Sequence, residues 1–437
     1  MKLNMPDRTS FLVLAALLTL GPVATRAQQP DELRITLAEA VDRALQVSPT
    51  VAQSSGAVRT AESAERSAIG AFLPSLSLSS GASLSSTERF NPTTNTTVSG
   101  SSDSYSAGLN SSVALFTAGR RGAELRRTRA QTSSAEATLT LQRFNVTLAT
   151  KQTFFAVLRA DETLAVAQSQ LERAQQSLDA AERRIAVGSA TTSDRLRSQL
   201  ELNQARQAVL SAEHQRRTAA FELGRLVGAD GPVVAVADAS VQPRPLAVSP
   251  EELEQMVVVA APSVEVAEAS LRANEAGVRV ARTQYFPTIS LGGGYDWFNQ
   301  NASFDGGRMS WSTRLSLSYP LFNGFQREDA IARASVQERN ARYVLEDTRR
   351  AARAELQSSL ATLDLARQQI ELSEEAVAVA REDLRVQQER YRLGVATMLD
   401  QLTSQTALVQ AENDLVAARY DYQIARAELE SLVGREL

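Results

Sequence analysis

The sequence predicts a mainly α-helical protein with a small β part, built from two copies of one unit. Three observations predict this fold class: an internal duplication, long segments with a heptad pattern, and four short stretches in which apolar and polar residues alternate. The 437 residues are 43% hydrophobic and 5% aromatic, with a mean hydropathy of -0.20. This polar, alanine-rich composition favours narrow helical seams over one large apolar core.

The duplication covers nearly the whole chain. Ala71–Leu78 aligns with Gln284–Leu291, and from Leu115 onward the copies align at a shorter spacing, which pairs Leu115 with Leu321. The length difference therefore falls in one segment, as expected of a surface loop. Pro243 and Pro245 lie in a stretch without helical periodicity, which predicts a linker. We accordingly predict a signal peptide at positions 1–27, a first repeat at 28–231, a linker at 232–250 and a second repeat at 251–437.

The segment from Met1 to Ala27 has the pattern of a secretory signal peptide. Lys2 and Arg8 precede an apolar run, and a small-residue cleavage site ends at Ala27. The chain that follows contains no apolar run long enough to span a bilayer, which argues against a transmembrane helix. Any part of it that enters a membrane is therefore expected to be a β-barrel.

Residues that alternate with a period of two predict two β-hairpins. In the second copy Ile289, Leu291 and Tyr295 alternate with small or polar residues such as Ser290 and Gly292. A dozen residues is the length of a tilted strand that crosses a bilayer, although a soluble, half-buried sheet would show the same alternation. The predicted strands are about 75–86, 104–116, 288–299 and 309–319, with loops at roughly 88–102 and 301–307.

Four strands are too few to close a membrane barrel, because the smallest such barrels have about eight. An open sheet in lipid would leave its edges unpaired. The membrane interpretation therefore requires several copies of the chain: two copies would supply eight strands and three would supply twelve.

Long proline-free segments predict two helical hairpins. Large residues recur at every seventh position from Leu356 to Tyr391, with Ala or Ser between them. Such seams of large and small residues predict closely packed antiparallel coiled coils that turn at short glycine-containing links. A soluble coiled-coil scaffold would explain this pattern equally well, but it would not explain the signal peptide or the amphipathic hairpins. The predicted helices are about 120–187, 192–227, 326–393 and 398–433.

The composition disfavours an enzyme. The chain has no cysteine, and its single histidine, His214, lies in a charged helical stretch. A Cys/His zinc site, a cysteine nucleophile and a disulfide framework are therefore excluded. The 46 basic and 50 acidic residues leave no basic domain for nucleic acid. We expect no catalytic residues, no metal, no cofactor and no nucleic-acid partner.

The order of motifs resembles that of TolC-type outer-membrane efflux factors from about Ile35 to Gly434. The matching segments are FLPSLSLSSG, YFPTISLGGGY, LFTAGRR, LFNGFQR and RLGVATMLD. The resemblance implies a homotrimer whose twelve-stranded β-barrel lies in outer-membrane lipid and whose coiled-coil helices form a periplasmic tunnel. It further implies a passive exit duct of a tripartite efflux or type I secretion system, docked onto a periplasmic adaptor protein and an inner-membrane pump. The alternative function is that of an exported structural coiled-coil protein without channel activity.

The two helix turns contain the candidate gate residues. Asp194 and Asp400 each lie three positions after a threonine, which predicts a capping box. The resemblance adds that three copies of each aspartate would ring the narrow end of the tunnel and raise the local cation density. Tyr391 matches a family tyrosine that holds the tip closed through the aspartate corresponding to Asp194. Heptad packing alone would also explain a large residue at Tyr391.

Two positions depart from the family pattern at this gate. The chain has Ala396 where a family member has arginine, and Thr403 where it has a second aspartate. A closed-state network would therefore be built differently, with Arg390 and Arg392 as candidates to replace the missing arginine.

Two further sets of residues are assigned by the resemblance. The exposed tip that adaptors contact corresponds to Val187, Gly188, Leu393 and Gly394, although the glycines also fit helix C-caps. Aromatic residues suited to a belt at the membrane interface, or equally to a buried core, are Tyr295, Trp297, Trp311 and Tyr319.

Overall fold

The computed structural model describes residues 33–237, 246, 248–303 and 305–437. The predicted signal peptide lies outside the described residues, as do Pro243 and Pro245 of the predicted linker. The described elements, in chain order, are β1 (Leu33–Ile35), α1 (Leu37–Val47), α2 (Pro49–Gly70), β2 (Ser75–Asn91), β3 (Thr96–Phe116), α3 (Arg120–Ala186), α4 (Thr192–Val227), β4 (Val233–Ala235), α5 (Pro250–Ala260), α6 (Pro262–Arg282), β5 (Thr288–Asn299), β6 (Arg308–Ser318), α7 (Gln326–Arg392) and α8 (Met398–Val433).

Two long helical hairpins dominate the molecule. The helices α3 and α7 have 67 residues each, and their return helices α4 and α8 have 36 each. At 1.5 Å per residue, α3 and α7 are each about 100 Å long. The offset that relates Arg120 to Gln326 also relates Val227 to Val433, and we call residues related by this offset counterparts. No helix in the described part of the chain is both long enough and apolar enough to cross a membrane.

Heptad positions form the seams within each hairpin. Ala174 and Leu178 of α3 pack with Leu202 and Ala205 of α4 near the turn. In the second hairpin Val377 and Leu384 of α7 pack with Leu408 of α8 in the same way. Because alanine occupies alternate seam positions, the helices approach closely without a bulky core.

The largest core lies where the shorter helices cover the hairpins. Leu253, Val264, Leu356 and Leu429 come from four different helices and are fully buried in one cluster. A second cluster surrounds Phe154. The short helices thus pack against the middle of the long ones. The turns between α3 and α4 and between α7 and α8 lie far from this core.

A four-stranded antiparallel sheet extends from the other end of the helices. Its strand order is β2-β3-β5-β6, so β2 and β6 are its edges. One cross-strand row contains Leu78, Leu109, Tyr295 and Trp311, and the neighbouring row on the opposite face contains Ser79, Gly108, Asp296 and Ser310. The alternation seen in the sequence therefore produces one apolar and one polar face.

The first hairpin is longer than the sequence predicted. The segment 88–102, expected to be a loop, mostly continues β2 and β3, and the turn contains only positions 92–95. Ser85 and Ser102 remain cross-strand partners, with their hydroxyl oxygens 2.9 Å apart. In this extension Ser, Thr and Gly occur on both faces, so apolar and polar residues no longer alternate. The backbone hydrogen bonds between β2 and β3 nevertheless continue.

The predicted linker is also partly ordered by pairing. Val233–Ala235 forms a short parallel ladder with Leu33–Ile35, and Val233 is fully buried. The segment that follows α4 is therefore paired with the start of the described chain. Among the described residues of 232–250, only part lacks regular structure.

An arginine in the first turn of α3, and another in the first turn of α7, forms hydrogen bonds with the end of the preceding β-hairpin. Arg121 donates a hydrogen bond to the carbonyl oxygen of Ala114, and its guanidinium lies over the Phe72 ring. Arg327 donates to the carbonyl oxygens of Pro320 and Leu321 at 3.1 and 3.4 Å and lies over Tyr285. These contacts explain why the LFTAGRR and LFNGFQR segments both retain arginine.

Candidate functional site

The two helix turns have the same backbone geometry. Gly188 and Gly394 adopt left-handed conformations with φ of 74° and 78°, which glycine accommodates without steric cost. The amide of Ser189 donates to the carbonyl of Arg184 at 2.8 Å, and that of Val395 donates to Arg390 at 2.9 Å. Both turns are thus Schellman caps, which reverse the chain in few residues and leave the tip narrow.

Capping boxes begin both return helices. The Asp194 carboxylate accepts hydrogen bonds from the amide and hydroxyl of Thr191 at 2.9 and 2.8 Å. Asp400 accepts the same pair from Thr397 at 2.8 and 2.7 Å. The hydrogen bonds from Thr397 lower the pKa of Asp400 below its usual value, with a smaller contribution from Arg390. Asp400 is exposed and Asp194 is half-buried, so Asp400 presents a negative charge to solvent at neutral pH.

Arg184 joins the two turns. Its Nη1 donates to the carbonyl oxygen of Tyr391 at 2.5 Å, and its Nη2 donates to that of Ser189 at 3.4 Å. The guanidinium carbon lies 4.3 Å from the centre of the Tyr391 ring. One side chain of α3 therefore caps the C-terminal end of α7 and covers its last aromatic residue.

Tyr391 and Asp194 are close but are not hydrogen-bonded in the described structure. The hydroxyl oxygen of Tyr391 is buried without a hydrogen-bond partner. Burial raises the pKa of Tyr391, the charge of Arg184 opposes that increase, and the charge of Asp194 adds to it. The tyrosine therefore stays a protonated donor at neutral pH, with Asp194 near enough to influence it.

The other gate candidates form local contacts. Arg392 forms an ion pair with Glu389 at 2.9 Å, and Arg390 donates to Gln387 at 3.5 Å, both on their own helix. Neither arginine contacts Tyr391 through a described side-chain hydrogen bond. The hydroxyl of Thr403 donates to the carbonyl of Leu399 at 2.9 Å. Within one protomer Tyr391 is contacted by Arg184, and the gate roles of Arg390 and Arg392 stay predictions.

The adaptor-contact candidates lie at the extreme end of the helices. Val187 is 78% exposed and Leu393 is 68% exposed, each beside the turn glycine. Each hairpin thus ends in one exposed apolar side chain, against which another protein can pack.

A buried polar layer lies just behind the tip. Gln401 of α8 donates to the Ser177 hydroxyl of α3 at 2.9 Å, and Ser404 donates to Asp383 of α7 at 2.5 Å. Gln405 is buried, and its Nε2 has no hydrogen-bond partner. The contact between Gln401 and Ser177 joins the two hairpins, whereas the contact between Ser404 and Asp383 lies inside the second hairpin, so buried polar groups occur in both interfaces here.

Polar contacts also join α3 to α8 along their length, and we call this set the polar ladder. Arg173 pairs with Glu412 at 3.1 Å, and the Tyr420 hydroxyl donates to Glu162 at 2.7 Å. Burial and the hydrogen bond to Glu162 raise the pKa of Tyr420 far above its usual value, so it remains a donor. Its other members are Lys151–Glu430, Gln152–Glu428, Arg159–Asp421 and Ser177–Gln401.

The aromatic belt candidates lie at two heights on the sheet. Tyr295 and Trp311 face each other across β5 and β6 and are 53% and 77% exposed. Trp297 lies one row nearer the hairpin turn, where its indole packs against Gly307 and is half-buried. Tyr319 lies just beyond the other end of β6, roughly 26 Å along the strand from Trp311 at about 3.3 Å per residue.

Sequence reasoning missed Arg184 and the polar ladder. Both depend on how one hairpin packs against the other, which periodicity does not report. One signal was available: Arg390 is the counterpart of Arg184, so the duplication relates an overlooked residue to a candidate. Among the described residues, no group of three or more His, Asp or Glu side chains is placed to hold a metal ion.

Comparison with known proteins gives the family. The model of the outer membrane efflux protein family matches residues 40–229 and 253–435. The chain belongs to the outer membrane efflux protein family. It is 30% identical over 420 residues to protein CyaE of Bordetella pertussis, a match that covers 93% of this chain and 84% of CyaE.

Other relatives agree with this assignment. The pyoverdine export outer membrane protein OpmQ of Pseudomonas aeruginosa is 27% identical, with 90% of this chain and 82% of OpmQ covered. The structure of the Campylobacter jejuni CmeC outer membrane channel matches with a TM-score of 0.79 at 18% identity, over 91% of this chain and 85% of that one. The protein therefore has the fold of these channels and is an outer-membrane efflux protein, in a family of ducts rather than enzymes.

Proposed function

We propose that three copies of the chain form one continuous exit duct across the outer membrane and the periplasm. The observation that carries the proposal is the exposed apolar face of a sheet whose outermost strands, β2 and β6, each have one edge that pairs with no other strand among the described residues. Lipid would cover that face, and pairing of β2 with β6 of the next copy would satisfy both edges. Three copies give a twelve-stranded barrel above a tunnel of long helices.

The two halves of each protomer act as a duplicated unit in this arrangement. Equal helix lengths and equivalent turn caps support the duplication. Each trimer would then carry six hairpins around one axis, and Asp194 and Asp400 would alternate around the narrow end. A ring of six carboxylates would raise the local cation concentration at the entrance.

Transport through the duct would be passive, with its direction and energy supplied by partners. The exposed Val187 and Leu393 would contact a periplasmic adaptor protein, which links the duct to an inner-membrane pump. Pyoverdine export is in the name of OpmQ and is not transferred to this chain, because the sequence contains no feature that selects a cargo.

Fractionation combined with mass measurement tests the proposal. The protein is expected in the outer-membrane fraction, as a detergent-soluble particle with the mass of three chains that forms cation-selective pores in planar bilayers. Recovery as a soluble periplasmic protein without pore activity would instead support the alternative of a structural coiled-coil protein.

A further inference from the structure

The polar face of the sheet carries an excess of positive charge. Among the strand residues whose side chains the structure describes, its charged members are Asp296, Arg308 and Arg314, all of them exposed. Asp296 and Ser310 are cross-strand partners on this face, and both arginines lie an even number of positions from Ser310 on β6. Because side chains alternate between faces with a period of two, the three charged groups project to the same side.

The acidic residues of the first β-hairpin lie on the opposite face. Asp103 is the cross-strand partner of Leu84, which shares the apolar face with Leu78, and Glu88 lies four positions after Leu84 on β2. Strand alternation therefore separates the charges, and two arginines and one aspartate remain on the described polar face. In three copies this part of the face would carry six arginines and three aspartates, a net charge of +3.

Small neighbours leave the arginines uncovered. Arg314 is the partner of Gly292, and the same row continues through Ser112 and Ser75. These residues carry no charge and are too short to cover a guanidinium group. Among the residues that the structure describes, neither Arg308 nor Arg314 forms an ion pair.

The carboxylate of Asp296 lies on the side of its strand that is farther from the arginines. A Cβ atom on Gly108 would collide with its Oδ1, and one on Gly294 would lie 3.3 Å from its Oδ2. Gly108 belongs to β3, whereas both arginines belong to β6 on the other side of β5. The aspartate therefore offsets the charge of the arginines only in part.

We propose that the barrel end of the duct is lined by net positive charge and favours cargo that carries carboxylate, phosphate or sulfonate groups. The inference rests on the proposed trimeric duct, in which lipid covers the apolar face and the polar face therefore lines the lumen. Arg308 and Arg314 lie about 20 Å apart along the strand, at roughly 3.4 Å per residue, so the positive charge extends along much of the barrel wall. A lumen with low-dielectric walls focuses this field and raises the local concentration of anions.

This charge is opposite in sign to the acidic ring proposed at the tip. Helices about 100 Å long separate the two zones, and the Debye length at physiological ionic strength is about 8 Å. The zones therefore act independently and in series. The tip would determine ion preference at the entrance, a pump would choose the molecules that enter, and the arginines would act on cargo that has reached the barrel.

Reversal potentials in planar bilayers test the charge of the barrel. The double variant Arg308→Gln with Arg314→Gln removes six positive charges from the trimer, so cation selectivity is expected to rise by about threefold, the change that accompanies a potential of one kT. The matched control, Arg308→Lys with Arg314→Lys, keeps the charge and is expected to behave as the natural duct. The difference should shrink in 1 M salt, where the Debye length is about 3 Å, because screening weakens a charge effect and leaves pore size unchanged.

Organic ions test the class of cargo. Benzenesulfonate replaces chloride in one set of recordings, and tetraethylammonium replaces potassium in another. The double glutamine variant is expected to lower the permeability of benzenesulfonate and to raise that of tetraethylammonium, whereas the double lysine variant should change neither. The single variants Arg308→Gln and Arg314→Gln should show smaller shifts in the same direction, so the comparison does not depend on assembly of the double variant.

The outcomes separate the basic lining from the proposed duct. A particle with the mass of one chain and no pore activity would overturn the duct itself. A trimeric pore whose selectivity is the same in the natural, glutamine and lysine forms, or whose shift persists undiminished in 1 M salt, would overturn the basic lining and leave the duct intact. Equal loss of benzenesulfonate and tetraethylammonium permeability would overturn the preference for anionic cargo.

Discussion

Arg184 joins the two turns at the tip of the protomer. It combines a charged hydrogen bond to the end of α7 with a ring contact to Tyr391, whereas Arg390, its counterpart in the second half, donates within its own helix. The first half therefore supplies the link inside the protomer. In the proposed ring, Arg390 is placed to make the corresponding link to a neighbouring copy.

Replacement of Arg184 by alanine should loosen the closed tip. Loss of one cation–π contact and one charged hydrogen bond costs about 2 kcal/mol, which shifts the ratio of closed to open tips by more than tenfold. Single-channel recording should show a higher conductance or a larger open fraction. Arg183→Ala is the matched control, since Arg183 is the exposed neighbour on the same helix. Equal behaviour of the two variants would exclude Arg184 as a link.

Asp400 should contribute charge as well as capping. Asp400→Asn keeps a side-chain oxygen that accepts the Thr397 hydrogen bonds but removes the charge, so α8 should start normally while cation selectivity falls. The folded pKa of Asp400 lies below its usual 3.8. Selectivity and the capping contribution should therefore hold down to about pH 4 and be lost only as the pH falls through that depressed pKa.

Bilayer recordings of reversal potential across a salt gradient measure this effect. Asp414→Asn, which changes an exposed carboxylate farther along α8, serves as the control. Unchanged selectivity in Asp400→Asn would leave helix capping as the only role of this residue.

At the scale of single elements, the sheet shows how a period-two pattern becomes a two-sided surface. Leu291 and Leu315 are cross-strand partners on the apolar face, and Ser290 and Ser316 are partners on the other. Leu315→Arg should impair outer-membrane assembly if the apolar face meets lipid as proposed, because a charge on such a face costs about 2–4 kcal/mol near the midplane. Ser316→Arg, at the next position and on the polar face, should assemble normally. Equal amounts of both variants in the outer-membrane fraction would argue against lipid contact.

The helices were predicted closely, and the hairpins less so. The proline-free stretch and the glycine turn that follows it predicted a helix at about 326–393, and α7 extends from Gln326 to Arg392. The first β-hairpin was underestimated because the segment 88–102 pairs mainly through backbone groups, and its side chains show no apolar and polar alternation to detect. The contact of Arg184 with Tyr391 and the polar ladder could not be predicted, since they depend on the packing of one hairpin against the other.

On the scale of the whole molecule, two kinds of interface follow from the same repeat. Seams inside each hairpin are apolar, with Leu and Ala at heptad positions. The interface between hairpins combines the apolar cluster around Phe154 with the polar ladder, and the groups of the ladder can be resolvated when the helices separate. Each helical hairpin should therefore be stiff. Displacing one hairpin relative to the other should cost less free energy than separating the two helices of one hairpin. A tip that opens would do so by displacement of whole hairpins.

Helix length should determine whether the tip can reach its partner. Deletion of two heptads from each long helix and of the matching segments of the return helices, at 165–178, 200–213, 371–384 and 406–419, keeps every seam in phase. Each helical hairpin then shortens by about 21 Å at 1.5 Å per residue. The trimer should still reach the outer membrane and conduct in a planar bilayer, since the sheet and both turns are unchanged. Export in cells should fall to the level of a strain without the duct, because the tip no longer meets the adaptor. If the shortened duct exported as much cargo as the natural one, the length of the helices would not determine whether the tip reaches the adaptor.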